Sequence, residues 1–194
     1  ILLIANTGHR SKELLGTKFG EIYQPPTFTE DEKQTHVAMT VRRDNAKTGR
    51  ERRVIARVKK RIDRIIASYK KLGITHQPDD FLFINPLSKD RNHYGRMIMY
   101  QRLKKTLVDS GLQKELDLER KSITPYSFRH FYCYMRLINS VPIHLLSKNM
   151  GTSVQKIEAG YGHINTELHA DVITKGQSII QSTDLSLETL DTLD

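Results

Sequence analysis

The segment Thr124-Pro125-Tyr126-Ser127-Phe128-Arg129-His130 brings a phenol and a guanidinium close together near the start of a predicted helix. Thr124 suits the N-cap and Pro125 the first helical position, so the phase of the helix is fixed. Tyr126 and Arg129, three residues apart, then share a face. A phenol and a guanidinium near a helix N-terminus suit the binding of a phosphate group. By itself, the pattern more often marks a surface arginine beside a packed tyrosine.

Two other basic segments have the chemistry to serve the same anion. Arg10, in Thr7-Gly8-His9-Arg10, lies at the predicted start of a helix, where a cation opposes the helix dipole unless an anion lies between them. Lys47 lies at the predicted tip of a β-hairpin, from which its amine could reach into a groove and give up a proton. Taken singly, a solvated arginine and a basic turn are the simpler interpretations.

A fourth segment, from Met150 to His163, places Tyr161 between two glycines at the end of a short predicted helix. A flexible backbone suits a side chain that must swing onto a phosphorus atom. Thr152 and Gln155 fit a capping box for that helix, and this structural role would by itself account for Thr152. An ordinary loop tyrosine is the alternative.

Hydrophobic periodicity predicts the elements that must position these residues. Alternation at Val37, Met39 and Val41, and again at Val54 and Ala56, predicts the two strands of the hairpin. Phe81 to Ile84 predicts a short buried strand, and Phe128 and Phe131 are expected on the core side of their helix. Helices are predicted over residues 1–5, 11–19, 58–72, 94–111, 124–139, 142–150 and 153–159. The fold class is therefore α+β, mainly helical with one small antiparallel sheet.

The composition indicates a soluble globular domain. The chain has 194 residues, of which 38% are hydrophobic and 27% charged, and no apolar run approaches the roughly 18 residues of a membrane span. We expect no signal peptide. Cys133 is the only cysteine, which excludes an intrachain disulfide and a thiolate zinc site. No histidine or carboxylate pattern indicates a metal site. We expect a cytoplasmic protein.

The formal charge of +9 is unevenly distributed along the chain. Residues 162–194 contain one basic residue, Lys175, and six acidic ones: Glu167, Asp171, Asp184, Glu188, Asp191 and Asp194. The preceding residues are therefore strongly basic, which favours a polyanionic partner, most simply nucleic acid. A solubilising surface is the alternative.

In their order and spacing, these segments resemble the catalytic domain of the tyrosine recombinase (phage integrase) family over essentially the whole chain. The family's first arginine lies in a Thr-Gly-x-Arg-x-x-Glu-Leu motif, here with Arg10, and its lysine in a hairpin Lys-Thr-Gly motif, here with Lys47. Its second arginine lies in a His-x-x-Arg-His motif, matched with Arg129. Its tyrosine follows nine residues after a Gly-His or Gly-Trp motif, here at Thr152 and Tyr161.

Two positions depart from the family pattern. Tyr126 stands where the family usually has His or Lys, and Thr152 where it has His or Trp. The general base and a supporting hydrogen bond are therefore less well defined than the nucleophile. His163, two residues after Tyr161, is common in the family and could contribute.

The resemblance implies an enzyme that cuts and rejoins double-stranded DNA through a 3′-phosphotyrosine link. Tyr161 would be the nucleophile, Arg10 and Arg129 would hold the nonbridging oxygens, and Lys47 would protonate the leaving 5′ oxygen. Tyr126 or His163 would assist proton removal, with Thr152 in the same site. The covalent link conserves the phosphodiester energy, so no cofactor and no metal is required. DNA contacts are expected from Arg50, Arg52, His130 and His163.

The resemblance also implies an organisation into two parts. Residues 1–174 would form the catalytic domain of a protein whose N-terminal part is missing here. The acidic tail, residues 175–194, would pass to a neighbouring subunit of a dimer or tetramer on DNA, or pack on its own domain. No membrane association is expected, and the DNA-bound form would be associated with the nucleoid.

Three alternative functions stay open from the sequence. A type IB topoisomerase uses the same chemistry without strand exchange between partners. A non-catalytic regulator could use the predicted helices on either side of Gly151 as a helix-turn-helix, but this leaves the spacing of Arg10, Lys47 and Tyr161 unexplained. A decayed relative would bind DNA without cutting it.

Overall fold

The structure, a computed structural model, describes residues 1–84 and 96–161. Within these ranges a short 3₁₀-helix, Phe19–Glu21, accompanies three strands: β1 Ile22–Tyr23, β2 Val37–Val41 and β3 Arg52–Ala56. The α-helices are α1 Leu2–Thr7, α2 Ser11–Leu15, α3 Glu30–Thr35, α4 Lys59–Lys71, α5 Arg96–Asp109, α6 Leu112–Leu118, α7 Pro125–Ile138, α8 Ile143–Met150 and α9 Val154–Tyr161. The predicted α+β class, mainly helical with a small antiparallel sheet, is confirmed.

The sheet has the order β1-β2-β3 and is antiparallel throughout. Met39 of the central strand pairs with Ile22 on one side and Val54 on the other. Val37, Met39 and Val41 are buried as the alternation predicts, but Ala38 on the opposite face is buried as well. The second face of the central strand is therefore covered at Ala38, although alternation of apolar and polar residues is typical of a strand with one buried face.

Two apolar clusters form the core. The larger lies around the sheet and includes Ile4, Leu14, Met39, Val54 and Leu82. The smaller joins α7, α8 and α9 through Tyr132, Cys133, Leu146, Met150 and Ile157. Helix α1 packs against α7, and α8 packs against β3, so the two clusters are tied together where the basic motifs meet.

Several predicted elements differ from the structure. The helix predicted over 11–19 ends at Leu15. Phe81 to Ile84 is not a continuous strand: Phe81 forms an isolated bridge with Lys18, Ile84 occupies another bridge position, and bends lie between them. Helices α3 and α6 were not predicted, because short polar helices lack an apolar stripe. The part of the chain that the structure describes contains no helix long and apolar enough to cross a membrane.

Helix α7 starts where its cap predicts, but the face predicted for the core is wrong in part. Phe131 is 53% exposed, and Phe128 is only partly buried. The buried face runs through Pro125, Arg129, Tyr132 and Cys133. These positions recur at helical spacing, but an arginine among them masks the stripe in a hydrophobicity pattern.

Gly8 permits the close approach of α1 and α7. It ends α1 in the left-handed conformation, with φ of 68°. A Cβ atom at this position would lie 2.5 Å from Cδ1 of Tyr132. Gly8 is therefore required both by its backbone conformation and by the neighbouring ring.

We expect Gly8→Ala to destabilise the protein more than Gly73→Ala. Gly73 has the same φ of 68°, but nothing lies within 4 Å of the position of its Cβ. Both variants bear the left-handed strain of roughly 1–2 kcal/mol, whereas only Gly8→Ala adds an overpacking cost of roughly 1–3 kcal/mol. Urea unfolding of the two variants measures the difference. Equal losses of stability in the two variants would show that α1 and α7 can move apart without a cost in free energy.

Candidate active site

Arg10 and Arg129 meet at the turn between α8 and α9. Arg129 donates from Nη2 to the carbonyl oxygen of Met150 at 3.0 Å, and from Nη1 to that of Gly8. Arg10 donates from Nη2 to the carbonyl oxygen of Gly151 at 3.0 Å. Two guanidiniums from distant parts of the sequence are thus bound to consecutive carbonyls of one turn. Each guanidinium has five N–H donors, so these bonds leave donors for an anion.

Arg129 is 3% exposed, which is unusual for an arginine. Burial, and next the charge of Arg10, lower the pKa of Arg129 to about 10, while Glu13 opposes the shift. The guanidinium therefore remains charged at neutral pH. A buried cation beside a second cation is a site that favours an oxyanion.

The carboxylate of Glu13, 1% exposed, holds two arginines at once. Its Oε1 accepts from Nη1 of Arg10 at 2.8 Å, and its Oε2 accepts from Nη2 of Arg52 at 2.6 Å. Oε2 also accepts from the backbone N–H of Arg10 at 2.9 Å, at the start of α2. Burial raises the pKa of Glu13, but the bonds from Arg52 and Arg10 outweigh it and lower the pKa to about 2.

Arg52 connects β3 to α8. Its side chain is 9% exposed and donates from Nε to the carbonyl oxygen of Asn149 at 3.2 Å. The side chain of Asn149 accepts from the backbone N–H of Ile55 at 2.9 Å and donates to the hydroxyl of Tyr132 at 2.8 Å. Arg52 was predicted to contact DNA. In the structure its guanidinium is bound to Glu13 and Asn149, so it is placed as a support of the site.

His9 is fully buried beside these arginines, and neither ring nitrogen has a hydrogen-bond partner in the described residues. Burial, followed by the charge of Arg52, lowers the pKa of His9 to about 3. The imidazole is therefore neutral at physiological pH and adds no cation to the cluster. The sequence analysis assigned no role to His9.

An open cleft of about 700 Å³ lies over this network. Thr152 lines it, together with a single acidic side chain, Glu51. Its basic lining residues are Arg10, Arg50, Arg52, Lys148 and Lys156. The cleft therefore suits a polyanion backbone.

Thr152 does not cap α9. The hydroxyl of Ser153 accepts from the backbone N–H of Lys156 at 3.3 Å, so the capping box predicted for Thr152 is wrong. The cap lies one residue later because α9 begins at Val154. The structural explanation of Thr152 is thereby removed.

Lys47 lies on the connection between β2 and β3, where it was predicted, and is exposed. The connection is anchored by Asn45, which is buried and donates from Nδ2 to the carbonyl oxygen of Glu13 at 2.8 Å. Thr48 and Arg50 of this connection line the cleft. Lys47 is therefore held near the cleft, although it is not among the residues that line it.

Tyr161 lies at the end of α9 and packs against the smaller core cluster. Its hydroxyl oxygen is 2.5 Å from Nδ1 of His130, and the carbonyl oxygen of His130 lies farther away, at 3.4 Å. Burial, followed by the neighbouring Cys133, raises the pKa of Tyr161. Tyr126 is 51% exposed, and its ring contacts the His130 ring edge to face at 4.6 Å between centroids.

The predicted site residues thus form two adjoining groups. One group lies at the turn after α8 and comprises Arg10, Arg129 and Thr152. The other comprises Tyr126 and His130 of α7 and Tyr161 of α9, with His130 in contact with both tyrosines. His163 lies outside the described residues. Within the described residues no group of His, Cys, Asp and Glu side chains is arranged to hold a metal ion.

The sequence analysis missed the supports of this site. Glu13 was visible as part of the Thr-Gly-x-Arg-x-x-Glu-Leu motif, which was the one available signal for it. Asn149 and the structural role of Arg52 had no signal, because their partners lie on other elements and are remote in sequence.

The fold is that of solved tyrosine recombinases. XerH bound to its difH substrate superposes with a TM-score of 0.61 at 14% identity, over 89% of this chain and 44% of that one. XerA recombinase superposes with a TM-score of 0.58 at 20% identity, over 89% of this chain and 53% of that one. The Tn1549 transposon integrase bound to circular intermediate DNA superposes with a TM-score of 0.54 at 17% identity, over 89% of this chain and 55% of that one.

The chain spans about half the length of these recombinases. No protein-family model and no curated protein sequence matches it. At such identities the similarity establishes the fold. The predicted recombinase catalytic fold is therefore confirmed.

We expect Glu13→Gln to lower stability by about 3 kcal/mol at pH 7, because it leaves Arg10 and Arg52 partly unpaired in a buried place. The folded pKa of Glu13, about 2, lies below the ordinary value of 4.5. This stabilisation is therefore present above pH 4.5 and is lost as the pH falls towards 2.

Free energies of unfolding are measured between pH 7 and pH 3 for the parent and the variant. Their difference should shrink as the pH falls, because the contribution of Glu13 is lost on the approach to its folded pKa. Glu158→Gln, at an exposed position of α9, is the control and should change stability by less than about 0.5 kcal/mol. Parallel curves for the parent and Glu13→Gln would contradict the pairing.

Proposed function

We propose that this chain, which has the tyrosine recombinase catalytic fold, is the catalytic part of a site-specific DNA recombinase or integrase that cleaves and rejoins double-stranded DNA through a 3′-phosphotyrosine intermediate. The observation that carries the proposal is the meeting of Arg10 and Arg129 on the consecutive carbonyls of Met150 and Gly151. The basic cleft beside them supports a DNA partner.

The two arginines would bind the nonbridging oxygens of the scissile phosphate. A transition state at phosphorus concentrates negative charge on these oxygens, and preorganised cations stabilise it without further rearrangement. Arg10 is fixed by Glu13 and Arg129 by two carbonyls, so neither has to be ordered when DNA binds. Arg50, Lys148 and Lys156 would contact the flanking phosphates.

The covalent step balances without a cofactor. The Tyr161 oxygen attacks phosphorus and loses its proton, the bond from phosphorus to the 5′ oxygen breaks, and Lys47 gives that oxygen a proton. Rejoining reverses the step, when a 5′ hydroxyl attacks the phosphotyrosine. The phosphodiester energy is retained in the link, so no nucleotide hydrolysis is required.

The assembly belongs to the same proposal. The acidic residues 175–194 would pass to a neighbouring subunit of a dimer or tetramer on DNA, and residues 1–174 would form the catalytic domain. Type IB topoisomerase activity is separated from recombination by the products: relaxation of one plasmid without a defined site, or exchange between two defined sites.

We expect Tyr161→Phe to abolish covalent capture of nicked suicide DNA and to leave noncovalent affinity nearly unchanged. The phenol oxygen forms the link, whereas the ring keeps its packing against the smaller core cluster. Denaturing gels measure the adduct and mobility shifts measure the affinity. The control is Tyr134→Phe, at an exposed position of α7, which should form the adduct at the parent rate. An adduct that persists in Tyr161→Phe would contradict the assignment.

We expect Lys47→Ala to slow cleavage by roughly 10²–10⁴-fold, the usual effect of a positioned proton donor. Affinity should change little, because Lys47 is one exposed contact among many. DNA with sulfur in place of the bridging 5′ oxygen should restore the rate, since a thiolate leaves without a proton. If sulfur does not restore the cleavage rate, Lys47 is only a DNA contact. Arg50 would then be a poor replacement for the acid, because a guanidinium holds its proton too tightly.

A further inference from the structure

The Tyr161 hydroxyl is in direct contact with a side chain that the sequence analysis assigned only to DNA contact. We propose that His130 is a catalytic residue: its Nδ1 accepts the proton that Tyr161 loses on attacking phosphorus. This inference rests on the proposed function and names the general base that the chain's departure at Tyr126 leaves undefined.

The contact supports proton transfer in its geometry. The hydroxyl oxygen of Tyr161 is 2.5 Å from Nδ1 of His130, within the reach required of a general base. The neutral imidazole with its hydrogen on Nε2 presents Nδ1 as an acceptor. His130 is exposed, so the proton it takes can be released to solvent.

Among the described residues, the other groups that interact with the hydroxyl do not serve as the base. Burial raises the pKa of the Cys133 thiol, against the bond from Tyr161, so the thiol is protonated at neutral pH. Arg129 is a cation and has no acceptor. Tyr126 is itself a phenol, and its ring contacts the edge of the His130 ring, which orients the imidazole.

The phosphate site lies next to this pair in the fold. Arg129 immediately precedes His130 on α7, and its charge acts at the Tyr161 hydroxyl, where it favours the phenolate. An oxyanion bound by Arg129 would therefore lie within electrostatic reach of the Tyr161 hydroxyl. In the step, the Tyr161 O–H bond breaks and the His130 Nδ1–H bond forms. The Tyr161 oxygen bonds to phosphorus while the bond from phosphorus to the 5′ oxygen breaks, and Lys47 protonates that leaving oxygen.

The experiment compares His130→Ala with His144→Ala, an exposed histidine of α8, on suicide DNA with either oxygen or sulfur at the bridging 5′ position. His130→Ala should cleave both substrates about 10²–10⁴-fold more slowly than the parent, because sulfur replaces the acid and not the base. His144→Ala should match the parent. Added imidazole should restore part of the His130→Ala rate and none to Tyr161→Phe, with unchanged affinity for DNA.

Three results would overturn the inference. Parent-like cleavage by His130→Ala would show that the contact has no part in the reaction. Full restoration by sulfur would place His130 on the leaving-group side. A rate defect that follows DNA affinity, with no response to imidazole, would make His130 a DNA contact. In each case the parent still forms the adduct and the proposed function stands, whereas a parent without an adduct would overturn both.

Discussion

The buried carboxylate of Glu13, bound to Arg10 and Arg52, is the interaction on which the rest of the site depends. Arg10 reaches the turn after α8 from one side of this carboxylate, and Arg52 reaches Asn149 of α8 from the other. The N-terminal helices, the sheet and the C-terminal helices are thereby joined at one point. A buried ion pair of this kind is costly to break from one side, because the remaining charge is left without a partner.

The network carries more positive than negative charge. Arg10, Arg52 and Arg129 lie together, with Glu13 as the carboxylate bound among them, and His9 stays neutral because it is buried. The backbone carbonyls of Gly8, Met150 and Gly151 compensate in part. A phosphate group would balance the remaining charge, so the same arrangement that fixes the arginines also prepares them for an anion.

The elements that carry Arg129 and Lys47 could be predicted because helix caps and strand alternation are local, and the recombinase fold was implied by the resemblance of the motifs in their order. Thr124 and Pro125 set the start of α7, and the hairpin that carries Lys47 follows from two short alternating runs. The burial of Arg129, the exposure of Phe131 and the cap at Ser153 could not be predicted in this way. They depend on which neighbour packs against each helix, and a hydrophobicity pattern treats every arginine as a surface residue.

The contact between His130 and Tyr161 could not be predicted from the sequence for the same reason, since it joins an interior residue of α7 to the last residue of α9. The proposed chemistry is thus divided between a rigid part and an exposed part. The rigid part is the arginine network, fixed by buried bonds. The exposed part comprises Lys47, Tyr126 and His130, whose positions permit proton exchange with solvent.

The most direct test of the central claim is to remove the charge that Arg10 is proposed to neutralise. On natural DNA, Arg10→Ala should cleave about 10²–10³-fold more slowly than the parent. On DNA with a neutral methylphosphonate at the scissile position, most of that difference should disappear. Arg50→Ala, which alters the same cleft, should slow cleavage by the same factor on both substrates. An Arg10→Ala defect of the same size on both would contradict a phosphate site built on this arginine.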